Sequence, residues 1–226
     1  MTVVLGVPTL NRHDLCSNLL SSAANGTVVP DLAVVVDNGS GQIDLSGVAG
    51  KMPVEIIRPG RNLGVGPSWN LLAKKFLADD SDRLLVVGDD VTLHADVVEK
   101  LLGVMSDGSV DFAFPDPARS TMHQMFSCFM AKLSLFEKVG FFDERFYPAY
   151  FEDNDFHYRM RLAGAVDAVA PCGYDHINSA TIKKYTPKQK EAHHKQFRAC
   201  KNYYVEKWGG LPHVEVYKVP FNASGA

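Results

Sequence analysis

The sequence has no closely spaced cysteine pair. Cys16, Cys128, Cys172 and Cys200 stand far apart with no CxxC among them, which excludes a zinc knuckle or a dithiol redox motif. A chain of 226 residues with an ordinary core needs no disulfide staples, so four reduced thiols are expected. No apolar run approaches the roughly 20 residues that span a bilayer. The opening stretch, Met1 to Pro8, has no basic segment of the kind that starts a signal peptide. The expectation is a soluble, cytosolic protein. Also missing are a GxxxxGKS/T loop and a GxSxG elbow, which removes P-loop and nucleophile-elbow hydrolase chemistry. Gly64-Val65-Gly66 is followed by Pro67 and Ser68, without the third glycine of a dinucleotide fingerprint.

A strong charge of one sign is absent as well. The net charge of −3 argues against wholesale nucleic-acid binding. Its distribution is uneven: Thr181 to Trp208 carries eight Lys or Arg against Glu191 and Glu206, a net +6 that leaves −9 for the remainder. An acidic body carries a basic segment. Hydrophobic residues at 46% and charged residues at 22% are near the globular average, so disorder and collagen-like repetition are excluded and a core can form.

Four continuous apolar, β-branched runs occupy the first half: Val3 to Val7, Leu32 to Val36, Val54 to Ile57 and Leu84 to Val87. Unbroken runs of this length suit strands buried on both faces. Helix-compatible segments separate them. Asp14 to Ala24 follows a cap at Asn11 or His13, Pro67 to Ala78 has proline in its first turn, and Ala95 to Met105 follows Asp90 to His94. Strand and helix in alternation give an α/β fold with a parallel sheet and right-handed crossovers. Farther on, Asp111 to Pro115, Phe126 to Ala131 and Val166 to Pro171 read as strands. Leu133 to Val139, Glu152 to Ala163 and Pro187 to Lys207 read as helices, the last capped by Thr186 and closed by Gly209.

In such sheets ligands sit beyond the carboxyl ends of the strands. Each of the first four strands ends in a polar or glycine-rich cluster: Pro8-Thr9-Leu10-Asn11-Arg12, Asp37-Asn38-Gly39-Ser40-Gly41, Arg61 to Gly66, and Gly88-Asp89-Asp90. Two adjacent carboxylates at a strand end repel, and a divalent cation relieves that, although a solvated turn capping the next helix explains Asp89 and Asp90 equally. Glu152, Asp153 and Asp155 crowd a helix start, where acids belong on dipole grounds. The aromatic approach Phe146 to Phe151 favours a pocket there. Asp155 and Arg159 form an i,i+4 pair that suits a surface face. His193 and His194 read as solvated, whereas His176, in Tyr174-Asp175-His176-Ile177, is a candidate ligand for a manganese-like ion. Phe197, Cys200, Tyr204 and Trp208 recur at spacings of three and four, as a docked helical stripe would.

Taken in order, Val7 to Arg12, Val36 to Ser40, Asn62-Leu63-Gly64 with Asn70, Val87 to Val91, Val139 to Phe146, Phe151 to Asp155 and Arg161 to Gly164 resemble the family 2 glycosyltransferases of the GT-A fold. The resemblance runs from about residue 3 to residue 180 and implies a Rossmann-like, mostly parallel sheet flanked by helices. Residues 1–105 would be its nucleotide-binding half, 106–180 its acceptor and catalytic half, and 181–226 a basic helical extension. The family implies an inverting transfer from a nucleotide-diphosphate sugar, UDP by prior. Pro8, Thr9, Asn11, Arg12, Asp37, Asn62, Gly66, Asn70 and Asp89 would serve the donor site. Asp90 and His176 would hold Mn2+ or Mg2+, and Asp153 would be the catalytic base beside Glu152. Gly88 stands where many members have a first Asp, so the metal motif is shortened. The acceptor, whether glycan, protein, lipid-linked sugar or DNA base, stays open, with an anionic acceptor gripped by the basic segment as one expectation. A sugar nucleotidyltransferase would need a glycine-rich loop with arginine after the first strand. A catalytically degenerate scaffold that binds glycan, nucleotide or nucleic acid is the remaining alternative.

Overall fold

The computed structural model describes residues 2–78, 83–122, 124–177 and 185–223. A seven-stranded sheet is built from β1 (Val3–Thr9), β2 (Leu32–Asp37), β3 (Val54–Ile57), β4 (Arg83–Val87), β6 (Phe112–Pro115), β7 (Cys128–Lys132) and β8 (Asp167–Ala170) in the order β3-β2-β1-β4-β7-β6-β8. β1 pairs in parallel with β2 and β4, β2 with β3, and β6 with β8. Only β7 runs against its neighbours. The expected α/β class and parallel first half are both present. β1, β2 and β4 are almost wholly buried, as their unbroken apolar runs require.

The helices are α1 (His13–Ala24), α2 (Val65–Ala78), α3 (Val97–Met105), α4 (Leu133–Val139), α5 (Glu152–Leu162) and α6 (Pro187–Trp208). α1 and α3 pack into one apolar layer with β1, β2 and β4, while α2, α4 and α5 close the opposite face around Trp69, Phe112, Phe129, Phe142 and Phe156. The α1 cap differs from expectation. Arg12 occupies the cap position with no side-chain cap hydrogen bond, because the Asn11 side chain is turned to accept from the Ser40 N–H instead. All four cysteines are free and buried. Among the described residues no helix is long and apolar enough to cross a membrane.

A two-stranded antiparallel ribbon escapes the sequence pattern. β5 (Val91–Leu93) pairs with β9 (Tyr174–His176), with Val91 opposite His176. Three residues are too few to show periodicity, and the partners lie more than eighty positions apart, so nothing local announces the pairing.

α6 has a full capping box from Thr186 and Gln189, and Gly209 ends it at φ 74. Lys183 and Lys184 of the basic segment lie outside the described residues. The helix docks on α5 and the loop before it through Phe146, Tyr158, Cys200, Tyr204 and Trp208. Under that contact lies Asp155, fully buried rather than on a surface face. Its carboxylate takes Arg159 Nε at 2.9 Å, Trp208 Nε1 at 2.8 Å and Lys207 Nζ at 2.6 Å. Lys207 also reaches Asp143 at 2.7 Å, and Arg159 donates to the carbonyls of Val139 and Phe141. Every strong acceptor in this knot is used. Asp155→Ala leaves a buried ammonium and guanidinium short of a counter-charge, a loss of about 3–5 kcal/mol; a urea midpoint unchanged from the parent would contradict the buried-network account.

Candidate active site

A cleft of about 380 Å³ opens at the carboxyl ends of β1 and β4. Its walls come from segments far apart in sequence: the β1 end with Pro8 and Thr9, Asn38 and Asn62, the β4 end with Gly88, Asp89 and Asp90, the start of α5 with Glu152 and Asp153, His176 from β9, and Tyr185, His193 and Gln196 from α6 and its approach. An adjoining cavity of about 400 Å³ includes Asn11 and Arg12 and shares Tyr185, His193 and Gln196 with the cleft.

The two carboxylates at the β4 end do different things. Asp89 accepts from Thr9 Oγ1 at 2.7 Å. Burial, opposed by that hydrogen bond and reinforced by the charge of Asp90, pushes it up to about 6. Its oxygens thus fasten β4 to the β1 loop. Asp90 faces the cleft and meets His176 Nε2 at 3.1 Å. The β5–β9 pairing produces this contact, since it sets His176 opposite Val91 and draws the Ile177 N–H to the Asp90 carbonyl at 3.0 Å. His176 Nδ1 lies 3.1 Å from the Met122 carbonyl. A carbonyl and a carboxylate only accept, so both ring nitrogens donate here, Nδ1 to Met122 and Nε2 to Asp90, and a cation at Nε2 would take the place of that second proton. Burial pulls the His176 pKa down, but the Asp90 hydrogen bond and charge outweigh it and the net shift is upward.

Among the described residues no cluster of three or more His, Cys, Asp or Glu could cage a metal. The Asp90–His176 pair is an open two-ligand set instead. One carboxylate and one imidazole suit Mn2+ or Mg2+ when a ligand's phosphate oxygens and water complete the shell. The donor set therefore fits a divalent ion that arrives with a diphosphate.

Across the cleft, Tyr150 and Phe151 adopt left-handed backbone conformations, φ 84 and 70, and α5 begins directly after them. This turn delivers Glu152 and Asp153 to the cleft at the positive end of the helix. Burial raises the Asp153 pKa, against hydrogen bonds from the Asn154 N–H and its own N–H. Burial, then the charge of Asp153, raises Glu152 well above the carboxylate range, and its Oε2 has no hydrogen-bond partner. Glu152 and Asp153 are thus neighbouring carboxyl groups that burial shifts toward the neutral form. Gly64 (φ 86) holds this region from the other side: a Cβ there would stand 2.6 Å from the Pro148 carbonyl, and Val65 N donates to that same oxygen at 2.8 Å.

Three expected donor-site residues are not among those lining the cleft itself. Asp37 is buried behind the cleft, where its oxygens take His13 Nε2 at 3.0 Å, Arg58 Nε at 3.2 Å and the Gly39 N–H. Asn70 clasps the Phe142 backbone through both its amide atoms, at 2.9 and 2.8 Å, and donates to Glu144. Gly66 lies under Glu152 and Phe142, each Cβ 3.5 Å from where its own would be. All three shape the walls from behind. Asn11 and Arg12 line the adjoining cavity, with Arg12 paired to Asp14. Conversely, His193 is not solvated: it lines the cleft and its Nε2 lies 2.7 Å from the Tyr150 hydroxyl. Gln189, His193, Gln196 and Cys200 share one helical face, and that phase was the available sequence signal.

The profile of Glycosyl transferase family 2 matches residues 5–162. The chain belongs to glycosyl transferase family 2. No curated protein matches it in sequence. Among solved structures it is similar to mannosyltransferase PcManGT from Pyrobaculum calidifontis in complex with GDP-Man and Mn2+, at 14% identity and TM-score 0.62 over 87% of this chain and 63% of that one. TarS 1-349 of S. aureus in complex with UDP-GlcNAc gives 17% identity and TM-score 0.63, over 91% and 67%. Glucosyl-3-phosphoglycerate synthase from Mycobacterium tuberculosis, with Mn2+, UDP and glucosyl-3-phosphoglycerate, gives 16% and 0.60, over 88% and 78%. These likenesses establish the glycosyltransferase GT-A fold. The chain spans less than two thirds of the mannosyltransferase's length, and α6 lies beyond the family 2 match.

The Glu152 carboxyl gives a pH test. Its folded pKa exceeds its unfolded one, so its contribution to stability is complete below the ordinary glutamate range and is lost as pH rises through the folded value. Relative to Glu152→Gln, the parent should lose stability as pH rises above the ordinary glutamate range. Urea midpoints that run parallel over that rise would show that Glu152 ionises normally.

Proposed function

We propose that the chain transfers a sugar from a nucleotide-diphosphate donor to an acceptor hydroxyl, inverting the anomeric centre. The observation that carries this reading is that one cleft is lined by a half-buried carboxylate of raised basicity, Asp153, and by the Asp90–His176 pair. A binding module has no use for such a base. Pro8, Thr9 and Asn62 line the nucleotide side, and Asn11 and Arg12 the cavity next to it. UDP is the favoured nucleotide by family resemblance.

Asp153 accepts the acceptor's hydroxyl proton as that oxygen forms its bond to the anomeric carbon. The bond from that carbon to the diphosphate oxygen breaks on the opposite face, and the diphosphate leaves with the electron pair. A divalent ion held by Asp90 and His176 would supply the Lewis acid that neutralises the departing charge. Glu152, whose burial favours its neutral form, would stand beside Asp153 as a hydrogen-bonding group toward the bound sugar. A positioned base contributes about 10²–10⁴ in rate, and alignment of the reactants in the cleft contributes beside it.

Asp153→Asn should lower kcat by about 10²–10⁴ and leave nucleotide binding intact; unimpaired turnover in that variant removes Asp153 as base. A thermal-shift screen of UDP-, dTDP- and GDP-sugars with and without Mn2+ tests the donor site. At about 100 times the dissociation constant one of them should add about 2.7 kcal/mol, with the Mn2+-dependent part lost in Asp90→Asn. No stabilisation by any of the three would sink the transferase reading.

A further inference from the structure

α6 has two working faces. Gln189, His193, Gln196 and Cys200 turn toward the cleft and the body. About a quarter-turn away, Lys190, His194, Arg198 and Lys201 recur at spacings of four, four and three and form a second stripe about 16 Å long. All four are exposed. Among the described residues none of Lys188, Lys190, Lys195, Arg198 or Lys201 has a carboxylate within salt-bridge distance, whereas Lys207 on the inner side has two. A body with a surplus of acid thus carries five exposed, unneutralised cations on one helix.

Between the two faces stands Phe197. It is 38% exposed, and its ring is held edge-on by Tyr150 at 5.1 Å and against Phe151 at 5.5 Å. Phe197, Lys190, His194 and Arg198 line a shallow groove of about 570 Å³, with Glu191 as its one carboxylate. Phe197 on the groove touches Tyr150, which lines the cleft. A fixed, half-exposed ring in a row of cations is the arrangement that holds an unpaired base beside its phosphates. A duplex offers no free base face to the ring. A membrane surface would need an apolar strip along the helix, but the flank beyond the cations is Glu191, Lys195 and Asn202.

We propose that this face of α6 binds single-stranded nucleic acid, with Lys190, Arg198 and Lys201 on phosphates and Phe197 under a base. The bound strand runs beside the opening of the cleft. The surface does not depend on the transfer chemistry, and the two are tested separately.

The experiment is fluorescence anisotropy of the full chain with a 20-nucleotide fluorescein-labelled oligo-dT, titrated at 20 to 200 mM salt. Binding at low salt should weaken with a slope of log K against log salt near −2 or steeper, since each phosphate contact to a single strand adds about −0.7. The triple variant K190Q/R198Q/K201Q should flatten that slope by about 2 and leave nucleotide-sugar stabilisation unchanged, because none of the three lines the cleft. Phe197→Leu keeps the apolar packing and should weaken oligo-dT about five-fold or more, with Phe197→Trp restoring it. An abasic strand of equal length should bind worse by a similar factor. Absence of binding at 20 mM salt, an unchanged slope in the triple variant, or equal affinity for the abasic strand or for inorganic polyphosphate would each overturn the proposal. A donor-binding failure with intact oligo-dT binding would strike the transferase reading alone.

Discussion

The buried carboxylate of Asp155 is the fixed point around which α5, α6 and the loop before α5 are assembled. It sits one turn inside α5, and through Arg159 it ties that helix to the carbonyls of Val139 and Phe141, while through Lys207 and Trp208 it ties the same helix to α6. Such a knot is costly to desolvate and tolerates no missing member. Its benefit is positional. Glu152 and Asp153 precede Asp155 on the same helix, so anchoring Asp155 fixes where both enter the cleft. Asp143, shared between Lys207 and Tyr203, extends the knot to the loop that leads into the helix. The acidic segment Glu152 to Asp155 therefore divides its labour, with two side chains facing the cleft and one holding the frame.

The opposite wall is organised by hydrogen bonding rather than by burial of charge. Asp89 and Asp90 would repel if both faced solvent together. The structure separates them, giving Asp89 to Thr9 and Asp90 to His176. One carboxylate fastens two strand ends and the other pairs with the histidine on the cleft wall. Gly88, where a longer acidic motif would have another side chain, packs its backbone against Ser127, and a Cβ would approach Asp90 Oδ1 at 3.4 Å. The shortened motif accordingly leaves Asp90 and His176 as an open pair rather than a closed cage.

The sequence made the α/β class, the first four strands, all six helix starts to within two residues and the strand-end placement of the site legible, because buried parallel strands and amphipathic helices write their periodicity locally. Asp90, Asp153 and His176, which it singled out, all line the cleft. It did not separate wall residues from those behind them. Asn70, Gly66 and Asp37 carry the same polar or glycine signature as true lining residues, and only the clasp on Phe142, the contact with Glu152 and the His13 and Arg58 bonds set them apart. His193, by contrast, read as a solvated histidine because its neighbours are charged, yet its helical phase turns it inward to Tyr150.

What the sequence determined by itself was whatever depends on neighbours along the chain: strand and helix types, the capping box at Thr186, and the charge surplus of the segment after residue 180. Tertiary structure alone decided what depends on distant partners. It paired β5 with β9 and so gave His176 to Asp90. It withdrew Glu152 fully and Asp153 in part from water and so raised both pKa values. It laid α6 along the cleft, with one face inward and its cations out. Burial and register are properties of the packed chain, and no local pattern encodes them.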